Sequence, residues 1–245
     1  MQQIEGRNPV IEAFRAGQTI NKIMMAKGEA RGPLGQIQRL AKEHNVPVQM
    51  VERKVMDQYS ETGHHQGVIA QVSAVQYWEL KELLAHGRTM KQPLYLVLDG
   101  IQDPHNLGSL LRSAEAAGAV GVIIPQRRAV GVTPVAAKAS AGASSHIPVC
   151  RVPNIARALE TLKDEGCWVC GADMEGDLCY DKDLTVPLAL VIGGEGRGLG
   201  HAAKKQCDFL VRVPMLGKVN SLNASVAGAV VLFEVVRQRA IVGEQ

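Results

Sequence analysis

Three short segments of this chain hold more polar side chains than their surroundings require. The first, "DGIQDPHNLGSLLRSAEAAG" (99–118), contributes Asn106 and Arg112. The second, "IGGEGRGL" (192–199), sets Glu195 among glycines. The third, "VPMLGKVNSLNASVAGAVVLFE" (213–234), crowds Asn220, Ser221, Asn223 and Ser225 onto the threshold of an apolar helix. Carboxamides, hydroxyls, a carboxylate and a guanidinium can orient a polar ligand and stabilise developing charge. Capping a helix takes one such residue, so capping by Asn223 or Ser225 alone leaves the surplus in the third segment unexplained. That surplus suits ligand or substrate chemistry.

Each segment also has a plainer reading. Asp103-Pro104 makes a turn and Asn106 is a fair N-cap, with Leu107, Leu110, Leu111 and Ala114 forming the core-facing stripe of the helix that follows. Arg112 lies off that stripe and, taken alone, reads as a solvated charge. Glu195 can equally solvate a turn. The glycine-rich turn is no phosphate-cradling loop, because no Lys-Ser/Thr follows it. Nor does it fit the dinucleotide fingerprint: the glycine spacing is wrong, and the next strand ends in Val213-Pro214 without the acidic residue.

The elements that must position these segments are legible in the hydrophobic pattern. Apolar runs recur at 94–100, 120–125, 147–152, 167–173, 188–194 and 209–214, most of them continuous rather than alternating. Such runs mark strands buried on both faces of a parallel sheet. Helix-length segments lie between them, predicting a doubly wound α/β domain whose ligands sit beyond the carboxyl ends of the strands. Residues 1–75 read as a smaller α/β domain: a helix from Asn8 (N-cap) and Pro9, strands "INKIMMAKG" and "VPVQMV" around the helix "LGQIQRLAKEH", and "HQGVIAQVS" closing the set. Residues 76–93 read as a linker built on a short amphipathic helix, and 94–245 as the second domain. Ala224, Ala227, Gly228 and Ala229 keep the last helix thin, so another element can approach it closely.

Composition bounds the rest. Hydrophobic content of 46% with 21% charged residues is ordinary for a globular chain of 245 residues. No apolar run approaches the roughly 20 residues that span a bilayer, and the N-terminus lacks a signal pattern, so a cytoplasmic protein without membrane contact is expected. The net charge of +3 permits a nucleic-acid partner without demanding one. Residues 1–75 carry nine Lys/Arg against seven Asp/Glu, a faint net of +2. Five cysteines suit reduced thiols. "CWVC" (167–170) sits inside a hydrophobic run and reads as strand residues rather than a redox pair, and no second pair or His cluster completes a metal site.

Together, and in this order, "NLGSLLR", "LVIGGEGRGL" and "VPMLGKVNSLNASVAGAVVLFE" resemble the three motifs of the SpoU/TrmH branch of the SPOUT RNA 2′-O-ribose methyltransferases. The resemblance covers about residues 94–240, and the segment ending in "HHQGVIAQV" resembles that family's small ribosomal-protein-like substrate-binding domain. It implies a trefoil knot in the C-terminal domain, an exception to the usual absence of knots. It implies S-adenosyl-L-methionine as cofactor, no metal, a homodimer, and RNA as partner. Within the family the layout is most similar to enzymes that methylate a guanosine ribose in 23S rRNA. Asn106, Arg112, Glu195, Ser221 and Asn223 match the catalytic positions. Cofactor contacts fall to Ala172, Gly193, Gly194, Val213, Met215 and Leu222, largely through backbone, with the loop after "VCGAD" beside the adenine.

A ribose hydroxyl is a weak nucleophile, so such a site must hold it within roughly 3–3.5 Å of the methyl carbon and help it lose a proton. Arginine, with a pKa above about 12, suits electrostatic stabilisation of the developing alkoxide better than general-base work. Glu195 would anchor a guanidinium or shape the pocket, and Ser221 and Asn223 would orient the hydroxyl. Another RNA site, in tRNA or rRNA, and a noncatalytic RNA-binding ribosome-assembly role remain the alternatives. The apolar helix 224–240 reads as a dimer seam or as a buried core helix. His64, His65, Arg127 and Arg128 read equally as RNA contacts or as solvated surface.

Overall fold

The computed structural model describes residues 3–28, 32–196, 198–219 and 221–243. The chain divides into two compact units: residues 1–76 with 131–135, and residues 77–130 with 136–245.

In the first unit, β1 (Gln3–Glu5), β2 (Ile20–Ala26), β3 (Val48–Val51) and β4 (Val68–Val72) form a sheet in the order β1-β4-β2-β3. Only β2 and β3 run parallel; β4 is antiparallel to both β1 and β2. Strand alternation sends Ile23 and Met25 to one face, where they pack with Val10, Phe14, Leu34 and Ile37 of helices α1 (Arg7–Arg15) and α2 (Pro33–Glu43). Met24 and Ala26 face the other side and pack with Met56 of α3 (Arg53–Tyr59).

The sequence pattern shows neither β1 nor α3. Three residues are too few to display a period, and α3 buries only Met56, which leaves no helical stripe to read. Helix α1 starts at Arg7, not at Pro9. Gly6, at φ 94°, turns the chain out of β1, and its carbonyl accepts the first helical bond, from Val10 N at 3.2 Å.

The loop before β4 is organised by Glu5. Its carboxylate accepts from Ser60 Oγ (2.6 Å), Glu61 N (2.6 Å), Gln3 Nε2 (2.6 Å) and the Thr62 hydroxyl. Burial pushes this carboxyl up, but the hydrogen bonds outweigh it and bring the pKa down to about 2. His65 is buried. Its Nδ1 accepts from Gly67 N at 3.1 Å, so the ring proton sits on Nε2, 2.9 Å from Asp57 Oδ1. A ring buried and committed in this way holds the loop together. Its neighbour His64 is exposed.

In the second unit, β5 (Leu94–Asp99), β6 (Gly121–Pro125), β7 (Val149–Val152), β8 (Trp168–Leu178), β9 (Leu188–Gly193) and β10 (Phe209–Arg212) form one all-parallel sheet, ordered β10-β8-β9-β5-β6-β7. Five of these strands fall within apolar runs, while β8 starts in the run 167–173 and continues five residues beyond it, to Leu178. Leu96, Val97, Leu98, Val122, Ile123, Leu190 and Val191 are fully buried, as strands covered on both faces require. Cys167 and Cys170 are buried beside and within β8; burial pushes the Cys167 thiol up to about 11 and raises Cys170 further, away from thiolate chemistry.

Helix α4 (Leu80–Gly87) lies within the segment that reads as a linker. A capping box between Glu79 and Glu82 opens it, and it buries Leu83 and Leu84 in the core of the second unit. Helix α5 (Pro104–Ala116) buries Leu107, Leu110, Leu111 and Ala114 through the predicted stripe. Next come α6 (Pro134–Ala139), α7 (Ile155–Asp164) and α8 (His201–Gln206). The last helix, α9 (Ala224–Gly243), crosses α5. A Cβ at Gly228 would lie 2.6 Å from Leu110 Cδ2 and 3.3 Å from Ile192 Cγ1. The small residues of α9 therefore do admit close neighbours. No described helix is long and apolar enough to cross a membrane.

Candidate active site

The carboxyl ends of β5, β9, β8 and β10 lie at one end of the sheet, and the polar segments follow them. Residues 193–196 and 198–200 fold back toward each other. Gly194 bridges to Gly198, whose N donates to Gly194 O at 3.0 Å, while Gly194 N donates to Asp99 O at 3.0 Å. A Cβ at Gly193 would lie 2.1 Å from the Gly198 carbonyl carbon, so only glycine permits this turn. Asp99 at the end of β5 accepts from Gly200 N at 2.7 Å and pins the far side of the loop.

This turn sets Glu195 at the centre of the site. Its Oε1 accepts from Asn106 Nδ2 and from Asn223 Nδ2, each at 2.7 Å, and Asn223 Nδ2 also donates to Asn106 Oδ1 at 3.0 Å. Three segments, after β5, β9 and β10, thus close into one junction of two carboxamides and a carboxylate. Asn106 is nearly fully buried there. It is not the N-cap of α5. Asp103 caps that helix, accepting from His105 N at 3.1 Å with Pro104 in the first turn, and this frees the Asn106 side chain for the junction.

Asn223 performs both tasks that its sequence context allows. Its Oδ1 caps α9, accepting from Ser225 N (2.9 Å), Ser225 Oγ (2.6 Å) and Val226 N (3.3 Å), while its Nδ2 joins the junction. Ser225 is therefore spent on the cap. Arg112 is exposed on α5 and makes no hydrogen bond or ion pair with any described residue; the fold does not bring it to Glu195. Ser221 is exposed, and Asn220 lies outside the described residues.

Two cavities meet at the junction. The first, about 350 Å³, is lined by Ala172, Gly193, Gly194, Val213, Met215 and Leu222, which are the six expected cofactor positions, and also by Glu195 and Ser221. Its wall also includes Asp173 and Met174, where the expected loop after "VCGAD" is instead a continuation of β8, Ala227 of the thin helix α9, and two residues the sequence pattern does not single out, Arg212 from β10 and Val231 from α9. The β8 contribution arises because the strand leaves β10 after Gly171 and rejoins it at Asp177, so that residues 172–176 bulge toward the cavity. The second cavity, about 590 Å³, is lined by Asp99, Gln102, Asp103, Asn106 and Arg128, and it shares Gly194, Glu195 and Gly198 with the first. Both volumes lie in the range of small-molecule sites. Asn106, Gly194, Glu195 and Arg128 were among the sequence candidates, and the end of "LYLVLDG" adds the rule that ligands gather beyond strand ends.

A sequence model of the SpoU rRNA methylase family matches residues 93–233, and a model of the RNA 2′-O ribose methyltransferase substrate-binding domain matches residues 3–78. The chain belongs to the SpoU rRNA methylase family. Among its relatives, a putative TrmH family tRNA/rRNA methyltransferase of Bacillus subtilis, YacO, is 49% identical over 241 residues, covering 98% of this chain and 96% of the relative. The 23S rRNA (guanosine-2′-O-)-methyltransferase RlmB of Pseudomonas putida is 47% identical over 226 residues, covering 91% and 90%. The SpoU methyltransferase AviRb of Streptomyces viridochromogenes, solved in complex with AdoMet, superposes with a TM-score of 0.63 at 26% identity, covering 98% of this chain and 90% of its own. Both family matches include the segments on which the resemblance was drawn, and the SpoU match contains the whole Asn106–Glu195–Asn223 junction.

Proposed function

We propose that this chain transfers a methyl group from S-adenosylmethionine to the 2′-hydroxyl of a guanosine ribose in 23S rRNA. The observation that carries this reading is a junction of Asn106, Glu195 and Asn223 set between two adjoining cavities, one for a donor and one for an acceptor. The first cavity fits the cofactor's chemistry. Ile192, Leu222 and Val231 supply apolar surface, Ala224 and Ala227 leave room, and the main chain around Gly193, Val213 and Met215 supplies polar contacts. Bound there, S-adenosylmethionine supplies a methyl carbon already made electrophilic by its sulfonium.

The protein's remaining task concerns the hydroxyl. Asn106 and Asn223 are held rigid by Glu195, so the junction presents fixed donors and acceptors at no reorganisation cost when the acceptor arrives. Ser221, on the wall of the first cavity, adds a hydroxyl beside it. Arg112, uncommitted among the described residues, holds a substrate phosphate or ribose oxygen and stabilises the alkoxide as the hydroxyl's proton passes to water. Replacement Arg112→Ala is expected to slow transfer by about 100-fold to 1,000-fold with cofactor binding intact. Near-normal turnover by that variant would discard the role.

The active form in this reading is a cytoplasmic homodimer with a trefoil knot. Support for the dimer comes from α9, where Val226 and Phe233, seven residues apart, each keep 48% of their surface exposed despite being apolar. Sedimentation of a pure monomer at working concentration would rule it out. The knot rests on the resemblance to the SPOUT methyltransferases. Modification of tRNA is the competing reading, in keeping with the tRNA/rRNA designation of the Bacillus relative. Mapping 2′-O-methyl sites in rRNA and tRNA from cells lacking the protein separates the two.

A further inference from the structure

The second cavity contains one of the six expected cofactor positions, Gly194, and shares a wall with the cavity that contains all six. Resting on the methyl-transfer reading above, we propose that it is the acceptor-nucleoside pocket, in which Arg128 takes a backbone phosphate and Asp103 reads the donor edge of a guanine base.

The topology makes this placement specific. Transfer needs donor and acceptor on either side of one boundary, and Gly194, Glu195 and Gly198 are the residues common to both cavities. Asn106, which lines only the second, presents its carboxamide where a ribose hydroxyl would meet the junction. Apart from Gly200 after β9, the remaining wall comes from β5's end and the loops that follow β5 and β6, which are adjacent parallel strands and so end on the same side. Val130 N donates to Ile101 O at 2.9 Å and ties the two loops together.

Arg128 is exposed, sits in the left-handed region at φ 60°, and makes no hydrogen bond or ion pair with any described residue. A left-handed non-glycine residue is uncommon, and here it belongs to a guanidinium on the rim of a cavity. A planar guanidinium is suited to a phosphate. Asp103 spends Oδ1 on capping α5, and a carboxylate can only accept. Guanine alone among the standard RNA bases offers two adjacent donors, N1–H and the exocyclic amino group, on its pairing edge. An acceptor-only group on the pocket wall therefore favours guanine over adenine, cytosine and uracil.

Asp103→Asn tests this cleanly, because asparagine caps a helix as well as aspartate does while replacing one acceptor oxygen with a donor. The full chain is assayed on an rRNA fragment carrying guanosine or inosine at the mapped acceptor position, with S-adenosylmethionine affinity measured alongside as a check on folding. The wild type is expected to prefer guanosine over inosine, which lacks the exocyclic amino group, by about ten-fold in kcat/KM. Asp103→Asn is expected to lose about ten-fold or more on guanosine, to lose that preference, and to keep its cofactor affinity. Arg128→Ala is expected to raise KM by about ten-fold with a shallower salt dependence. Equal wild-type rates on guanosine and inosine, or kcat/KM within about two-fold of wild type in both variants, would overturn the pocket. A wild type that methylates no RNA would instead overturn the reading beneath it.

Discussion

Two carboxylates in this protein gather several hydrogen bonds each, and they do so in different ways. Glu5, in the first unit, accepts from Ser60, Glu61 and Thr62 in one tight loop and from its near neighbour Gln3. Glu195, in the second, accepts from carboxamides that lie 89 and 28 residues away in sequence, one within α5 and one capping α9. The donors to Glu5 are mainly hydroxyls and backbone amides that would otherwise bond to water, and the result is a closed loop. The donors to Glu195 are side chains whose own geometry becomes fixed, and the result is a wall between two cavities. A carboxylate that folds its own neighbourhood stabilises; one that locks distant polar side chains beside empty space prepares a site.

If that contrast is sound, substitutions at the two carboxylates must separate activity from stability. The largest effect is expected from Glu195→Ala. Released from Glu195, Asn106 and Asn223 lose their fixed orientation, and single-turnover methyl transfer should fall by about 100-fold or more while the protein stays folded. A variant retaining near-normal transfer would dissolve the distinction.

Gly193→Ala comes next. Its methyl would need the space of the Gly198 backbone, so the turn must open, and calorimetry should show cofactor affinity reduced by about ten-fold or more. Asn223 divides the comparison within one side chain. Asn223→Asp keeps the α9 cap but sets a second carboxylate against Glu195, so it should lose transfer, and its melting temperature should fall as pH rises and both carboxylates ionise. Asn223→Ala should lose transfer and also about 1 kcal/mol of stability with the cap.

The smallest effect is expected at Glu5. Glu5→Gln should cost about 1 kcal/mol or less in a partly exposed loop and leave cofactor affinity unchanged. The sign with pH follows from a folded-state pKa of about 2, below the ordinary 4.5. The carboxylate's contribution is complete above about 4.5 and is lost as pH falls toward 2, so acid unfolding curves of wild type and variant should converge across that interval.

What could be read in advance follows the same division between local and distant. The strands of the second unit, apart from the outer half of β8, lie on apolar runs because a strand covered on both faces needs apolar residues at every position, and that requirement is written locally. The stripe of α5 and the thinness of α9 were visible for the same reason. Helix α3 was invisible, since a helix of this length burying one methionine has no period. His65 reads as a surface histidine until the fold buries it against Asp57 and Gly67.

The amino-acid sequence by itself determined the alternation of strands and helices, the family, and the polar residue types available at the strand ends. It left open which residue would serve as cap and which as site. Asp103, not Asn106, caps α5, and Asn223 shares its two side-chain atoms between a cap and the junction. Those assignments depend on partners as far as 117 residues away. Local spacing encodes helix and strand periods; the meeting of distant carboxamides, and the cavities on either side of them, exist only once the sheet has brought its strand ends together.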